Sequence, residues 1–267
     1  TPSPSAHQRS RLAPRRASAM VEALRGLGYS TATALADIID NSISANAASV
    51  TVTFTWNGEE SLVAIQDDGD GMDADGLEAA MRLGDRCPLD QRSAGDLGRF
   101  GLGLKTASFS QCRRLTVASV RDEQMACLRW DLDVLASSPD HGWHLLEGPA
   151  TGSAHLIGPL HAAGKGTLVL WERIDRIVTR GFTEQDFLDV IDEVERHLAM
   201  VFHRYLDAGD LCLTINGRDV SAWDPFLRDH PATWSSPIER IHSPAGLLEV
   251  QCHVLPHKDH LTLKQEK

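Results

Sequence analysis

Asp37 and Asn41 stand four residues apart in the run Ala34-Leu35-Ala36-Asp37-Ile38-Ile39-Asp40-Asn41-Ser42. If that run is helical, both share one face while Ile38 and Ile39 turn towards a core. A carboxylate beside an amide oxygen can hold a water and a hard cation together. Taken alone, the same pattern also describes a solvated helix face. A second group, Asp67-Asp68-Gly69-Asp70-Gly71-Met72, directly follows a β-rich stretch. Gly69 and Gly71 let the backbone approach a flat ligand, because positive φ costs glycine little. Asp67, at the strand end, can accept a hydrogen bond from an exocyclic amine. A calcium loop of the EF-hand kind lacks its final glutamate, since Ala79 or Ala80 falls there, and an acidic turn stays open. The third group is Gly98-Arg99-Phe100-Gly101-Leu102-Gly103-Leu104-Lys105-Thr106, a glycine-rich loop running into a helix. Free N–H groups and the positive end of a helix dipole suit a polyphosphate. Its spacing is not that of a Walker A loop, and it follows a long loop where a Rossmann fingerprint follows a strand. The fourth, Gly166-Thr167, opens the apolar stretch Leu168–Leu170.

Helices and strands must bring these groups together. Met20, Val21, Leu24 and Leu27 recur at helical spacing from Ala17 to Gly28, and a second helix opens near Ser30 or Thr31 and runs to Ser42. Val50–Trp56 and Leu62–Ile65 are β-rich around Asn57-Gly58, a hairpin dipeptide. Asp73–Leu83 returns to helical spacing, residues 84–98 read as a loop, and a helix starts at about Gly103. Strands follow at Leu115–Val120 and Met125–Trp130. Residues 136–165, rich in Gly, Pro, Ser and His, promise short strands at most, and Thr167–Trp171 closes the unit. Beyond Arg180 one long amphipathic helix is expected over Phe182–Leu206, with Phe187, Val190, Ile191, Val194, Leu198, Val201 and Phe202 on its apolar face. Leu211–Ile215, Asn216-Gly217 and Arg218–Val220 form a hairpin, and Leu247–Leu255 reads as a last strand.

Three segments result: a basic arm over 1–16 with Arg9, Arg11, Arg15 and Arg16, a main domain over 17–178, and a second unit over 179–267 that ends without a closing element, as a fragment of a longer protein would. A chain of 267 residues with 42% hydrophobic content can bury a real core. Its net charge of −11 argues against a surface built throughout for nucleic acid. No apolar run reaches the ~20 residues that span a bilayer, no signal peptide precedes the first helix, and five cysteines without CxxC spacing read as reduced thiols. A cytoplasmic protein is the expectation.

In this order and spacing the four groups resemble the N box, the two glycine boxes and the final Gly-Thr of the GHKL superfamily, which includes DNA gyrase, the heat-shock-ninety chaperones, histidine kinases and MutL. The quoted motifs are Asn41-Ser42, DxGxGM at 67–72, GxGLK at 101–105 and Gly166-Thr167. Within the superfamily, Leu83-Gly84-Asp85-Arg86, the polar loop and residues 101–108 look most like the MORC ATPases and their prokaryotic relatives. The second unit resembles a transducer domain.

The resemblance implies a two-layer α/β sandwich, the Bergerat ATP-binding fold, with a mixed, mostly antiparallel sheet, followed by a partial transducer-like α/β domain. It implies ATP and Mg²⁺ as cofactors. Asp67 would accept the adenine amino hydrogen with help from Thr167, while Gly69, Gly71 and Met72 would line the base. Asn41 would bind Mg²⁺. Gly98, Arg99, Phe100, Gly101, Leu102, Gly103, Leu104, Lys105 and Thr106 would hold the phosphates, within or beside a lid formed by residues 84–100. Asp37 would be the general base, where the family usually carries Glu. The missing methylene withdraws the carboxylate by more than ~1 Å, a misplacement that can cost ~100-fold in rate. Ser44 departs from the Asp that many relatives carry. The function implied is an ATPase acting as an ATP-gated, dimerising switch. DNA as a partner of the longer protein belongs to the resemblance and has no support from charge. A non-hydrolysing sensor, a chaperone and a histidine kinase are the alternatives, although the only His upstream of Asn41 is His7, in the arm.

Overall fold

The computed structural model describes residues 17–26, 28–83, 103–140, 142–243 and 246–262. In chain order its elements are α1 (Ala17–Leu24), α2 (Thr31–Ser44), β1 (Ser49–Thr55), β2 (Leu62–Asp67), α3 (Ala74–Met81), α4 (Gly103–Phe109), β3 (Arg114–Arg121) and β4 (Gln124–Asp131). Then come α5 (Leu132–Ser137), β5 (Leu146–Glu147), α6 (Ala154–Ala163), β6 (Gly166–Glu172), α7 (Glu184–Val201), α8 (His203–Ala208), β7 (Cys212–Ile215) and β8 (Arg218–Asp219). Four short strands follow: β9 (Trp234–Ser235), β10 (Glu239–Ser243), β11 (Gly246–Val250) and β12 (His253–Val254). No helix among the described residues is long and apolar enough to cross a membrane.

Local chemistry explains where the site-bearing helices begin. The Ser30 hydroxyl caps α2 by accepting from the Thr33 N–H at 3.1 Å, and Asp73 caps α3 by accepting from the Gly76 N–H at 2.7 Å. On α2, Leu35, Ile38, Ile39 and Ser42 are buried at spacings of three and four, which leaves Asp37 and Asn41 on the opposite, more open side. Thr183 and Asp186 form a reciprocal capping box that starts α7.

Strands β1 to β8 form one mixed sheet in the order β5-β4-β3-β6-β2-β1-β7-β8. Every pairing is antiparallel except β1 with β7. One face packs on the helices: Val52, Ile65, Val117, Val169 and Trp171 share a core with Leu35 and Ile39 of α2 and Phe109 of α4. Thr51, Thr53 and Thr55 of β1 alternate with those core residues and face solvent, as a one-sided antiparallel sheet permits. On the far face α6 packs on β3 and β6, where Ile157 and Leu160 meet Ala118, Val120 and Leu168, with Ala64 and Cys127 at the margins. The α/β class and the mostly antiparallel sheet are as expected.

Four expectations change. Residues 136–165 contain the helix α6, where short strands at most were expected. Gly158 and Pro159 lie inside it, and packing on β3 and β6 outweighs those breakers. The long helix over Phe182–Leu206 breaks into α7 and α8 at the buried Phe202, and Val201 turns outward. The boundary near 178 divides neither sheet nor core, since β7 lies parallel to β1 and Phe187, Val194 and Leu198 of α7 join the main core. Periodicity reveals which residues are buried but not against which element. Finally, Leu247–Leu255 is not one strand: β11 pairs with β10, and β12 with β9, in two small ribbons.

Candidate functional site

Strand register builds one end of the site. Asp67 at the end of β2 lies opposite Thr167 of β6, and Thr167 lies opposite Ser119 of β3, so three polar residues form a row across the sheet. Asp67 is 9% exposed. Its Oδ1 accepts the backbone N–H groups of Gly69 and Thr167, both at 3.0 Å, and its Oδ2 accepts the Ser42 hydroxyl at 2.8 Å. Burial pushes this carboxyl above the ordinary range, and those three donors pull against the shift. A carboxylate has about four acceptor positions, so one remains on Oδ2.

Two glycines let the chain close around this row. Gly71 has φ +67°, and a Cβ there would lie 2.0 Å from the Val120 carbonyl oxygen. Gly166 has φ +107°, with a Cβ position 2.1 Å from the Asp67 carbonyl oxygen. Backbone thus passes backbone where any side chain would collide. The buried Ser119 hydroxyl ties the parts together. It accepts the Met72 N–H at 2.8 Å and lies 3.1 Å from the Gly166 carbonyl oxygen and 2.9 Å from the Thr167 hydroxyl. Sequence reasoning missed Ser119, since a serine inside a buried strand carries no motif.

The helix face supplies the other end. Asn41 is exposed; its Nδ2 donates to the Asp37 carbonyl at 2.9 Å, and its Oδ1 accepts no hydrogen bond among the described residues. Asp37 is half-buried, and its Oδ2 accepts the Tyr29 hydroxyl at 2.8 Å. A Cβ on Gly103 would lie 4.0 Å from that same oxygen, which places the carboxylate beside the start of α4. Asp40, one turn on, has its carboxyl raised by burial and by the Asp37 charge.

Between the two ends lies a cavity of about 400 Å³, in the range of small-molecule sites. Asn41, Ser42, Asp67, Gly71, Met72, Gly103, Leu104, Lys105 and Thr167 line it, with Ile38, Val117 and Val169 as apolar walls. Gly69 stands behind the wall, packed on Ala45, and Asp37 and Thr106 lie outside the lining. Lys105 is 2% exposed, and its Nζ donates to the carbonyls of Ala80 (2.8 Å) and Arg82 (2.7 Å) at the end of α3. Gly98, Arg99, Phe100, Gly101 and Leu102, with the lid expected over 84–100, fall outside the described residues. Among the described residues no three His, Cys, Asp or Glu side chains cluster to hold a metal. The unspent Asn41 oxygen fits a magnesium ion that takes its remaining ligands from phosphates and water.

A buried carboxylate with one acceptor position left, an apolar slot and a helix start across a cavity form a site for a flat, amine-bearing ligand with an anionic tail. No curated protein matches the chain. The family model described as "Histidine kinase-, DNA gyrase B-, and HSP90-like ATPase" matches residues 29–167, which hold Asp37, Asn41, Asp67 and Thr167 and amount to just over half of the chain. The chain belongs to this GHKL ATPase family and carries its ATP-binding domain.

Proposed function

We propose that the chain binds ATP with adenine at Asp67 and hydrolyses it with Asp37 as the base, serving as an ATP-gated, dimerising switch in a larger protein of MORC or MutL type. The observation that carries this reading is the Asp67 carboxylate: three internal donors hold it, and the remaining position on Oδ2 is available to the adenine amine. Met72, Gly71 and Thr167 line the same slot. The polyphosphate then extends towards Gly103, Leu104 and Lys105, where α4 begins. Gly98, Arg99, Phe100, Gly101 and Leu102 keep their proposed phosphate role through the resemblance. Asn41 would hold Mg²⁺, which when bound neutralises phosphate charge.

Asp37 stands one helical turn from Asn41 and beside the start of α4, the position from which a carboxylate can orient a water towards the terminal phosphate. Asp37→Ala or Asp37→Asn is expected to abolish turnover with ATP affinity nearly intact. Asn41→Ala should weaken Mg²⁺-dependent binding as well as turnover. Asp37→Glu restores the family's usual reach and should keep or raise the rate. Phosphate release under single-turnover conditions measures all four. Wild-type release no faster than Asp37→Ala would leave a nucleotide sensor in place of an ATPase.

The switch role draws on the MORC-like run at Leu83-Gly84-Asp85-Arg86 and the residues 101–108. Sedimentation with a non-hydrolysable ATP analogue tests it, and a monomer at saturating nucleotide would remove the dimerising step. DNA as a partner of the longer protein rests on the resemblance alone, given the charge of −11.

A further inference from the structure

We propose that Tyr29 is a positioning residue for Asp37, its hydroxyl holding Oδ2 so that the other carboxylate oxygen is presented to the attacking water. The inference rests on the reading of Asp37 as the base and adds a residue outside the family's motifs. Tyr29 immediately precedes Ser30, the cap of α2, and packs half-buried against the main core. Its phenol reaches two turns along the helix and donates to Asp37 Oδ2 at 2.8 Å. The residue is fixed at its other end as well. Gln111 Nε2 donates to the Tyr29 carbonyl at 3.4 Å, and Thr31 donates to Gln111 Oε1 at 2.9 Å. Burial and the adjoining Asp37 carboxylate raise the phenol above its ordinary pKa, so it keeps its proton and stays a donor at neutral pH.

The same carboxylate lies beside the start of α4, where a Cβ on Gly103 would stand 4.0 Å from Asp37 Oδ2. The oxygen that Tyr29 holds is therefore the one next to the helix that opens at the phosphate end. A short aspartate gains most from such a tether. An Asp free to rotate would spend part of its time turned away, and small losses of orientation are costly in rate.

The test compares wild type, Tyr29→Phe, Asp37→Asn and the double variant by single-turnover rate, ATP affinity and thermal midpoint. Tyr29→Phe keeps the ring and removes one hydrogen bond to a charged group, so turnover should fall about 10- to 100-fold. ATP affinity should stay within about twofold, because neither residue lines the slot. In the Asp37→Asn background the same substitution should add nothing, since Tyr29 acts through that carboxylate. A merely structural tyrosine would instead lower the midpoint and affinity together and slow both backgrounds alike. That result would overturn the proposal, as would a wild-type rate for Tyr29→Phe. Wild-type turnover no faster than Asp37→Asn would remove the base reading and the tether with it, a pattern distinct from either.

Discussion

The two ends of the cavity are held by different kinds of structure. At the Asp67 end the polar groups sit on strands, in a row fixed by register, and are bonded mostly to buried backbone. Strand register cannot slip by one residue without turning each side chain to the other face. At the Asp37 end the groups sit on helix surfaces: Asn41 is exposed, Asp37 is held by a side-chain hydroxyl, and the Lys105 ammonium lies against the last carbonyls of α3. The first end is finished before a ligand arrives, whereas the second depends on rotamers and helix positions that a ligand can change. Affinity and turnover should therefore be separable by mutation, with affinity concentrated at the strand end.

The hardest test of the strand end is a single methyl group. Gly71→Ala would place its Cβ 2.0 Å from the Val120 oxygen and 2.8 Å from the Val120 carbon, both backbone atoms that cannot swing aside. The left-handed conformation and the overpacking together cost about 2–5 kcal/mol. For a domain of this size that is a drop of roughly 5–20 °C in thermal midpoint. Gly58, in the β1–β2 turn, is the matched control: its φ is +57° but nothing lies within 4 Å of its Cβ position. Gly58→Ala should cost only about 1–2 kcal/mol. Equal midpoints for the two variants, followed by circular dichroism, would mean that the close passage at Gly71 is not what fixes the turn.

Asp67→Asn comes next. The amide retains one oxygen for Gly69 and Thr167, but it can present donors where the adenine amine also brings donors. ATP affinity should fall about 10- to 100-fold by calorimetry with a non-hydrolysable analogue. Stability should move the other way. A carboxyl raised by burial holds its proton more tightly folded than unfolded, so its charge costs stability at neutral pH, and that cost is relieved as pH falls through the folded value. The neutral amide should then leave the thermal midpoint unchanged or higher. In the wild type, ATP binding should begin to weaken on acidification at a pH above the ordinary carboxylate range. Unchanged affinity in Asp67→Asn would refute the adenine role.

This contrast also explains what could be read from the residues alone. The slot was legible because Gly69 and Gly71 alternate beside Asp67, and Gly166-Thr167 gained its meaning from following the other three groups in order. The two-layer arrangement came with the family resemblance, while individual helices and strands were legible from periodicity and turn dipeptides such as Asn57-Gly58 and Asn216-Gly217. Tyr29 was not, because side-chain pairs on a helix are expected at three and four residues, and its partner is eight residues away. The helix α6 was hidden by Pro159 and Gly158, and its stability comes from Ala118, Val120 and Leu168, which are distant in sequence. The joining of β7 to β1 was hidden for the same reason: a strand's pattern names its buried face and not its neighbour.

The smallest effect sets two buried hydroxyls of β3 against each other. Thr116 and Ser119 are both almost fully buried, but their odd and even positions put them on opposite faces of the strand. Thr116 Oγ1 has no hydrogen-bond partner among the described residues, while Ser119 Oγ holds the Met72 N–H and meets Thr167 and Gly166. Ser119→Ala leaves the half-buried Met72 N–H and the buried Thr167 hydroxyl without that partner, at a cost of about 1–3 kcal/mol in stability. Met72 then loses its backbone anchor beside the slot, and ATP affinity should fall about 2- to 10-fold. Thr116→Val exchanges a hydroxyl that makes no bond for a methyl of similar shape, so affinity should not change and stability should rise by up to about 1 kcal/mol. Denaturant titration and calorimetry on the two variants separate these outcomes. If Thr116→Val weakens ATP as much as Ser119→Ala does, the row Asp67-Thr167-Ser119 has no special hold on the base end, and general loosening of β3 accounts for both.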